Sequence, residues 1–571
     1  MKSTTNLIVF STLTALFLSG LLLAAERERY WIFFTDKGEL ESLSAFQQEE
    51  IIRSQITQRA IERRRIRSPH IAFNKISIMR DLPVDSDYVK TIKQMGFSVH
   101  QRSRWFNAIS GYAPDWVLEQ ISGLTFVRSV ERVRKFAEKN EVENSPSIEP
   151  LIPRQPRETY DFEYGASLTQ AEFHNIPALH QQGLSGEGVL IGIFDTGFNL
   201  DHPALQHIAQ SLVDEWDFIN NDNVTKNQPG DPFNQDHHGT ATLSALAGFD
   251  EGELIGVAFN AQYFLAKTEA MNFERHLEED NWAAAAERAD SLGVDIVSTS
   301  VGYSDFDIGE GDYTPADMDG ETTIITQAAN FLADRGVIVV ASAGNEGNNN
   351  WHIITAPADG RHVIAVGAVN IANSVASFSS RGPTADGRIK PDVVGLGVNV
   401  FAAKSSNQGY ENLDGTSMSC PLIAGVCALV LEEFPHLTVS DMLQIIRYSG
   451  DTPSPNNDRG WGKVDAVRAL TIAGGGSLEP AQFTVKLLNF SPFQSQTIFG
   501  IGLPQPSPIT IDIYNILGQR VKVLFYSGGA ILNPVIWDRR NKNGMPVASG
   551  IYPFRVRTNF GVIDSKLVIV R

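Results

Sequence analysis

Cysteine is nearly absent from this chain: two residues, Cys420 and Cys427, in 571. Seven positions apart on one predicted helix they lie ~10 Å from each other, at 1.5 Å of rise per residue. A bond between them is geometrically excluded, so stability has to come from the size of the core. Positive charge is also scarce. Lys and Arg number 47 against 66 Asp and Glu, a formal net charge of −19, and no sustained basic face is present. A nucleic-acid partner is therefore excluded. Charge is absent altogether from residues 6–25, NLIVFSTLTALFLSGLLLAA, which follow Lys2 and precede ERER. That layout predicts a cleaved secretory signal over residues 1–25, with Leu23 an imperfect residue before the cut. A membrane anchor of the same length is the alternative.

Glycine and proline are plentiful, 47 and 27 residues, as expected of a turn-rich chain rather than long helical bundles. Its length exceeds one ordinary core. Residues 26–140 alternate strand-like runs (YWIFF, FSVHQRS, NAISGYA, TFVRSV) with amphipathic helical segments, an α+β unit of the split βαβ, ferredoxin-like kind. Within it Arg63, Arg64, Arg65 and Arg67 read as a solvated helix face. Polar, proline-dotted residues 141–163 form a linker, and AGGGSLEPAQ at 473–482 a second break. Between the breaks, residues 164–472 hold near-continuous apolar runs such as GVLIGIF, GVIVVASA and HVIAVGAV. Strands this apolar are buried on both faces, which predicts an α/β unit with a parallel sheet flanked by helices. Residues 483–571 offer short alternating strands, predicting a β-sandwich.

In parallel sheets chemistry collects beyond the carboxyl ends of strands. VLIGIFDTGF ends its run at Asp195, and VIVVASAGNEGN ends at Asn345. NQDHHGTATLSALAG places His238 before a small-residue helix. DGTSMSCP presents Ser417 at a helix start, with Pro421 expected in the first turn. These are the parts of an acyl-transfer site. A serine hydroxyl is a weak nucleophile and needs a base such as histidine. The histidine needs a buried carboxylate to fix its tautomer. An uncharged amide can donate to an oxyanion, and a helix N-terminus adds a free N–H. Each element alone is weak; all four in the order Asp, His, Asn, Ser are not.

The segment from about 165 to 472 resembles the subtilisin-like serine proteases. That resemblance implies a subtilisin-like fold, with Asp195, His238 and Ser417 as the triad and Asn345 as the oxyanion donor. Gly-Thr directly after the base selects His238 over His237. STSVGY stands where the family's substrate-lining strand reads Ser-Leu-Gly, so Ser300, Val301 and Gly302 are expected to pair with an extended peptide. Here Val301 replaces the commoner leucine, GTSMS replaces GTSMA, and Cys420 stands where serine or threonine is common. The N-terminal unit resembles the family's pro-domain, an intramolecular inhibitor removed by cutting between about 135 and 165. Residues 483–571 resemble the sorting domains of proteins exported by bacterial type IX secretion, which are immunoglobulin-like. The implied protein is a secreted or cell-surface serine endopeptidase acting on proteins or peptides, made as a self-processing precursor. A peptide ligase or cyclase on the same scaffold and a non-catalytic adhesion protein are the alternatives. No cofactor is required; the Asn/Asp-rich loop 220–236 has oxygen ligands suited to structural calcium, but no metal is assigned.

Overall fold

Alternation along the strands sets the layers of the central unit. Its computed structural model, like that of the rest of the chain, describes residues 29–68, 75–133, 160–271, 276–304, 312–406, 408–452, 454–474, 483–487, 497–503, 507–528 and 531–570. The signal-like stretch, residues 141–159 of the expected linker and most of the 473–482 break lie outside these.

The N-terminal unit is a four-stranded antiparallel sheet of β1 (Arg29–Phe34), β2 (Ser98–Ser103), β3 (Ala108–Tyr112) and β4 (Val127–Val133), in the order β2-β3-β1-β4. One face buries Ile32, Phe34 and Ile109 under Val89, Ile92, Val117 and Ile121 of two helices. Helix α1 (Gln58–Arg67) lies outside this sheet.

In the central unit seven parallel strands form one sheet: β5 (Leu190–Asp195), β6 (Leu212–Asp217), β7 (Gln262–Lys267), β8 (Ile296–Thr299), β9 (Ile338–Ser342), β10 (Val363–Val369) and β11 (Val393–Leu396). Their order is β11-β10-β9-β8-β5-β7-β6. Both faces are covered, which is why the strands read as unbroken apolar runs. Ile191, Ile193 and Val340 point into one core with α2 (His237–Ala247) and α5 (Thr416–Glu433). Phe194, Val297 and Val339 point into the other, with α3 (His276–Leu292) and α4 (Ile324–Asp334). Each such fully buried side chain contributes ~1.5–3 kcal/mol. By length and composition α5 would cross a membrane, but 89% of it is buried inside the protein. It is a core helix. Tyr160 and Phe162, at the end of the expected linker, pack against the α2–α5 core.

The C-terminal residues form two antiparallel sheets. One holds Thr484–Leu487, Thr497–Leu503 and Ile531–Trp537. The other holds Ser507–Tyr514, Arg520–Gly528, Gly550–Thr558 and Gly561–Ile569. Phe499, Ile501, Ile511, Trp537 and Phe554 share the core between them.

The arginines of α1 are not a solvated face, as the charge run suggested. Arg63, Arg64 and Arg67 are buried, and Arg65 alone of the four is exposed. Their partners come from far along the chain. Arg63 Nη2 and Arg64 Nη2 each lie 2.5 Å from an oxygen of Asp290 on α3. Arg64 Nη1 reaches Asp81 at 2.6 Å, and Arg335 reaches the other Asp81 oxygen at 2.6 Å. Arg67 lies 3.0 Å from Asp295, which also pairs with Arg59. A charge run is solvated only when no complementary surface covers it; here the central unit supplies one. The β2–β3 turn is held by α3 as well, where Glu287 accepts from Ser103 Oγ at 2.5 Å and from the Arg104 and Trp105 amides at 3.2 Å.

Candidate active site

Strand β5 delivers Asp195 to the carboxyl edge of the sheet with its side chain fully buried. Oδ1 accepts from the Thr196 amide at 2.7 Å and meets His238 Nδ1 at 2.6 Å. Oδ2 accepts from Thr242 Oγ1 at 3.0 Å. Since a carboxylate only accepts, the His238 proton sits on Nδ1 and leaves Nε2 for another partner. The acid is buried while the histidine side chain is 25% exposed, so the pair opens toward solvent at its basic end. Gly239 lets the helix come this close: a Cβ there would stand 2.2 Å from the Gly197 carbonyl and 3.2 Å from Asp195 Cβ. Thr242 is four residues after His238, on the same face of α2. One helix therefore carries both the histidine and the hydroxyl that satisfies its acid. His237 turns away, with Nε2 3.3 Å from Glu411.

Ser417 is the second residue of α5. The preceding Gly415 has φ +150°, and a Cβ on it would lie 2.7 Å from Ser417 Oγ. Only glycine leaves the hydroxyl clear. Asn345 follows β9, and its Oδ1 accepts from the Thr416 amide and hydroxyl, both at 2.9 Å. Two donors on one atom identify it as the oxygen. Nδ2 then faces the serine, 3.6 Å from the same Gly415 Cβ position.

Pro421 falls in the second turn of α5 rather than the first, because the helix begins at Thr416. Lacking an N–H, it cannot bond the carbonyl four residues back, that of Ser417. Ser300 Oγ takes over, donating to the Ser417 carbonyl at 2.8 Å. The expected peptide-pairing residues 300–302 are thus tied directly to the serine. Ser300 and Val301 are half-buried and Gly302 is exposed, just past the end of β8.

The hydroxyl and thiols that follow Ser417 on α5 are engaged elsewhere. Ser419 Oγ donates within the core to the Thr416 carbonyl at 2.9 Å. Cys420 is buried with its Sγ 3.4 Å from the Val340 carbonyl, and burial pushes its thiol up to about 12. Burial raises Cys427 as well. Neither thiol is a nucleophile at neutral pH. Sequence reasoning misses Thr242 as a site partner, although its four-residue step from His238 is a visible signal.

At the base of loop 220–236 two carboxylates, Asp217 and Asp231, hold a lysine. Lys267 Nζ lies 2.8 Å from Asp217 Oδ2 and 2.7 Å from Asp231 Oδ2, with the ammonium fully buried. Asp217 Oδ1 accepts the Ile219 and Asn220 amides at 2.8 and 2.9 Å. These two carboxylates therefore already neutralise a buried cation, the Lys267 ammonium. Among the described residues no group of three or more His, Cys, Asp or Glu is arranged to hold a metal ion.

Residues 186–462 match the subtilase family, and residues 29–147 match the Peptidase S8 propeptide domain of Bacteroidota. The chain is 31% identical over 300 residues to the subtilisin-like protease PopC of Myxococcus xanthus (strain DK1622), covering 49% of this chain and 60% of that protein. It is 29% identical over 334 residues to the serine protease AprX of Bacillus subtilis (strain 168), covering 53% and 71%. Over 283 residues it is 30% identical to subtilisin DY of Bacillus licheniformis, covering 49% and 88%.

Proposed function

Since this chain belongs to the subtilase family of serine-type endopeptidases, we propose that it hydrolyses peptide bonds through Asp195, His238 and Ser417 by way of an acyl-enzyme. The observation that carries this reading is the 2.6 Å contact between a buried Asp195 and His238 Nδ1, which leaves Nε2 to act as the base. Ser417 Oγ attacks the scissile carbonyl carbon while His238 Nε2 takes the hydroxyl proton. Asn345 Nδ2 and the Ser417 N–H, free at the helix start, receive the oxyanion. Collapse breaks the C–N bond, and the amine leaves with the proton from His238. Water then repeats the sequence and returns the serine. The peptide pairs along residues 300–302 during this cycle.

The propeptide match at residues 29–147 supports synthesis as a precursor that cuts itself beyond β4. The apolar residues 1–25 support export, and the two-sheet C-terminal residues support sorting through a secretion machinery after the catalytic residues. Ser417→Ala is expected to give a folded, full-length precursor that neither matures nor degrades casein. Gel analysis and mass spectrometry of the termini, in a protease-free preparation, check this. Maturation and casein degradation by that variant would overturn the assignment.

A further inference from the structure

Strand β5 lies between β7 and β8, with Asp195 level with Lys267 and Phe194 level with Thr299. It ends at Asp195, while residues 268–269 and 300–303 continue past its end on either side. Two neighbours of one shared strand stand about 10 Å apart, too far for a backbone hydrogen bond. Two long side chains span the gap instead. Glu269 Oε2 accepts from the Tyr303 hydroxyl, and Oε1 accepts from Thr268 Oγ1 at 2.9 Å. Glu269 is 6% exposed and Tyr303 is fully buried.

On its own side Glu269 is fastened to the segments that carry the acid and the base. The Thr268 and Glu269 amides donate to the Asp195 carbonyl at 2.9 and 3.4 Å. Gln235 Nε2 donates at 2.6 Å to the Glu269 carbonyl and at 2.6 Å to that of Thr196. Gln235 is three residues before His238. Across the gap, Tyr303 directly follows the expected peptide edge and exchanges backbone hydrogen bonds of 2.9 and 3.1 Å with Ala356. A buried carboxyl is an expensive way to fill this space. Both of its partners are hydroxyls rather than cations, and burial pushes it up to about 7 although Tyr303 and Thr268 pull it down. Leucine and phenylalanine would pack here without that desolvation. What they could not supply is a directional bond.

We propose, on the serine-endopeptidase reading above, that Glu269 is a positioning residue. Through Tyr303 it fixes the peptide edge 300–302 relative to Asp195 and His238, so that a paired peptide presents its carbonyl to Ser417. The near end of that edge is tied by Ser300 Oγ to the Ser417 carbonyl at 2.8 Å. The Glu269–Tyr303 bond ties the far end. With both ends held, the backbone groups of the edge keep one line, and a shift of about 1 Å in such a guide can cost roughly 10²-fold in rate.

The test compares two substrates of the processed enzyme from the full chain. A peptide anilide uses the edge, whereas the acyl group of p-nitrophenyl acetate has no backbone to pair. Tyr303→Phe is expected to raise KM for the anilide about tenfold or more and to leave ester hydrolysis at the parent rate. Glu269→Leu combined with Tyr303→Phe leaves no buried carboxyl without its donor. That double variant should show the same split, which separates a lost guide from a weakened fold. Glu269→Gln, whose carbonyl oxygen still accepts from Tyr303, should keep the parent KM. Labelling by a fluorophosphonate counts competent serines in every preparation. A parent enzyme that is unlabelled and acts on neither substrate would sink the underlying endopeptidase reading. Labelled Tyr303→Phe and double variants with the parent KM for the anilide would overturn the role of Glu269. So would equal losses on anilide and ester, or a Glu269→Gln enzyme no better than the double variant.

Discussion

Asp195→Asn is expected to lower kcat by about 10⁴-fold while leaving KM near the parent value. The reason is the geometry around that carboxylate. Oδ1 meets His238 Nδ1 at 2.6 Å, and the Thr196 amide and Thr242 hydroxyl donate to the remaining acceptor positions. An amide can keep Oδ1 on the Thr196 amide, but its NH₂ group then confronts Thr242. Turned the other way, it presents N–H to the histidine, which responds by carrying its own proton on Nε2. That tautomer cannot accept a proton from Ser417. Nor can an amide stabilise the imidazolium that forms. The proposed peptide edge at residues 300–302 is untouched, so the loss is expected in kcat. Steady-state kinetics on a peptide anilide distinguish the cases; a variant within tenfold of the parent would rule Asp195 out as the orienting acid.

The second large effect lies at the contact between the propeptide and catalytic units. Asp290→Ala, made in the Ser417→Ala precursor, is expected to destabilise it by about 3–5 kcal/mol. Asp290 is fully buried, and its two oxygens take Arg63 and Arg64, with Arg104 at 3.3 Å and Arg335 at 3.7 Å. Removing it leaves Arg63 without its ion-pair partner, Arg64 and Arg335 sharing Asp81, and Arg104 with Glu287 at 3.6 Å. Urea unfolding followed by tryptophan fluorescence reports the change, since Trp105 stacks on Arg335 at 4.6 Å across this contact. A precursor as stable as its parent would mean that the arginines are hydrated. The pH dependence has a definite sign. Burial raises the Asp290 carboxyl, but Arg64, Arg63, Arg335 and Arg104 outweigh it and hold the group below the ordinary carboxylate range. A depressed acid contributes stability that is complete above its unfolded value, ~3.9. That stability is lost as pH falls from there through the folded value. Neutral buffers therefore leave the Asp290 contribution intact, and its loss begins only in acid.

Much of this was legible along the chain because its signals are local. Residues 190–194 are apolar at every position except Gly192, so the strand had to be covered on both faces. That property of five adjacent residues implied helices on either side of the sheet. The stops at Asp195 and Asn345, and the glycines before Ser417 and after His238, mark where a strand or helix end must bring backbone close to a side chain. Such demands are made by the nearest neighbours in sequence, and composition records them.

Long-range pairing left no such record. Arg63 and Asp290 are 227 positions apart, and the charge pattern of α1 is the same whether water or a carboxylate faces it. Pro421 and Ser300 behave alike: the proline frees the Ser417 carbonyl, but only the return of β8 beside α5 supplies the hydroxyl that donates to it. Sequence alone determined the layered parallel sheet and the order of the chemical groups, since both follow from periodicity and element ends. Tertiary structure alone decided which charges are buried and which hydroxyl reaches the Ser417 carbonyl, since both depend on what the rest of the chain lays beside each group.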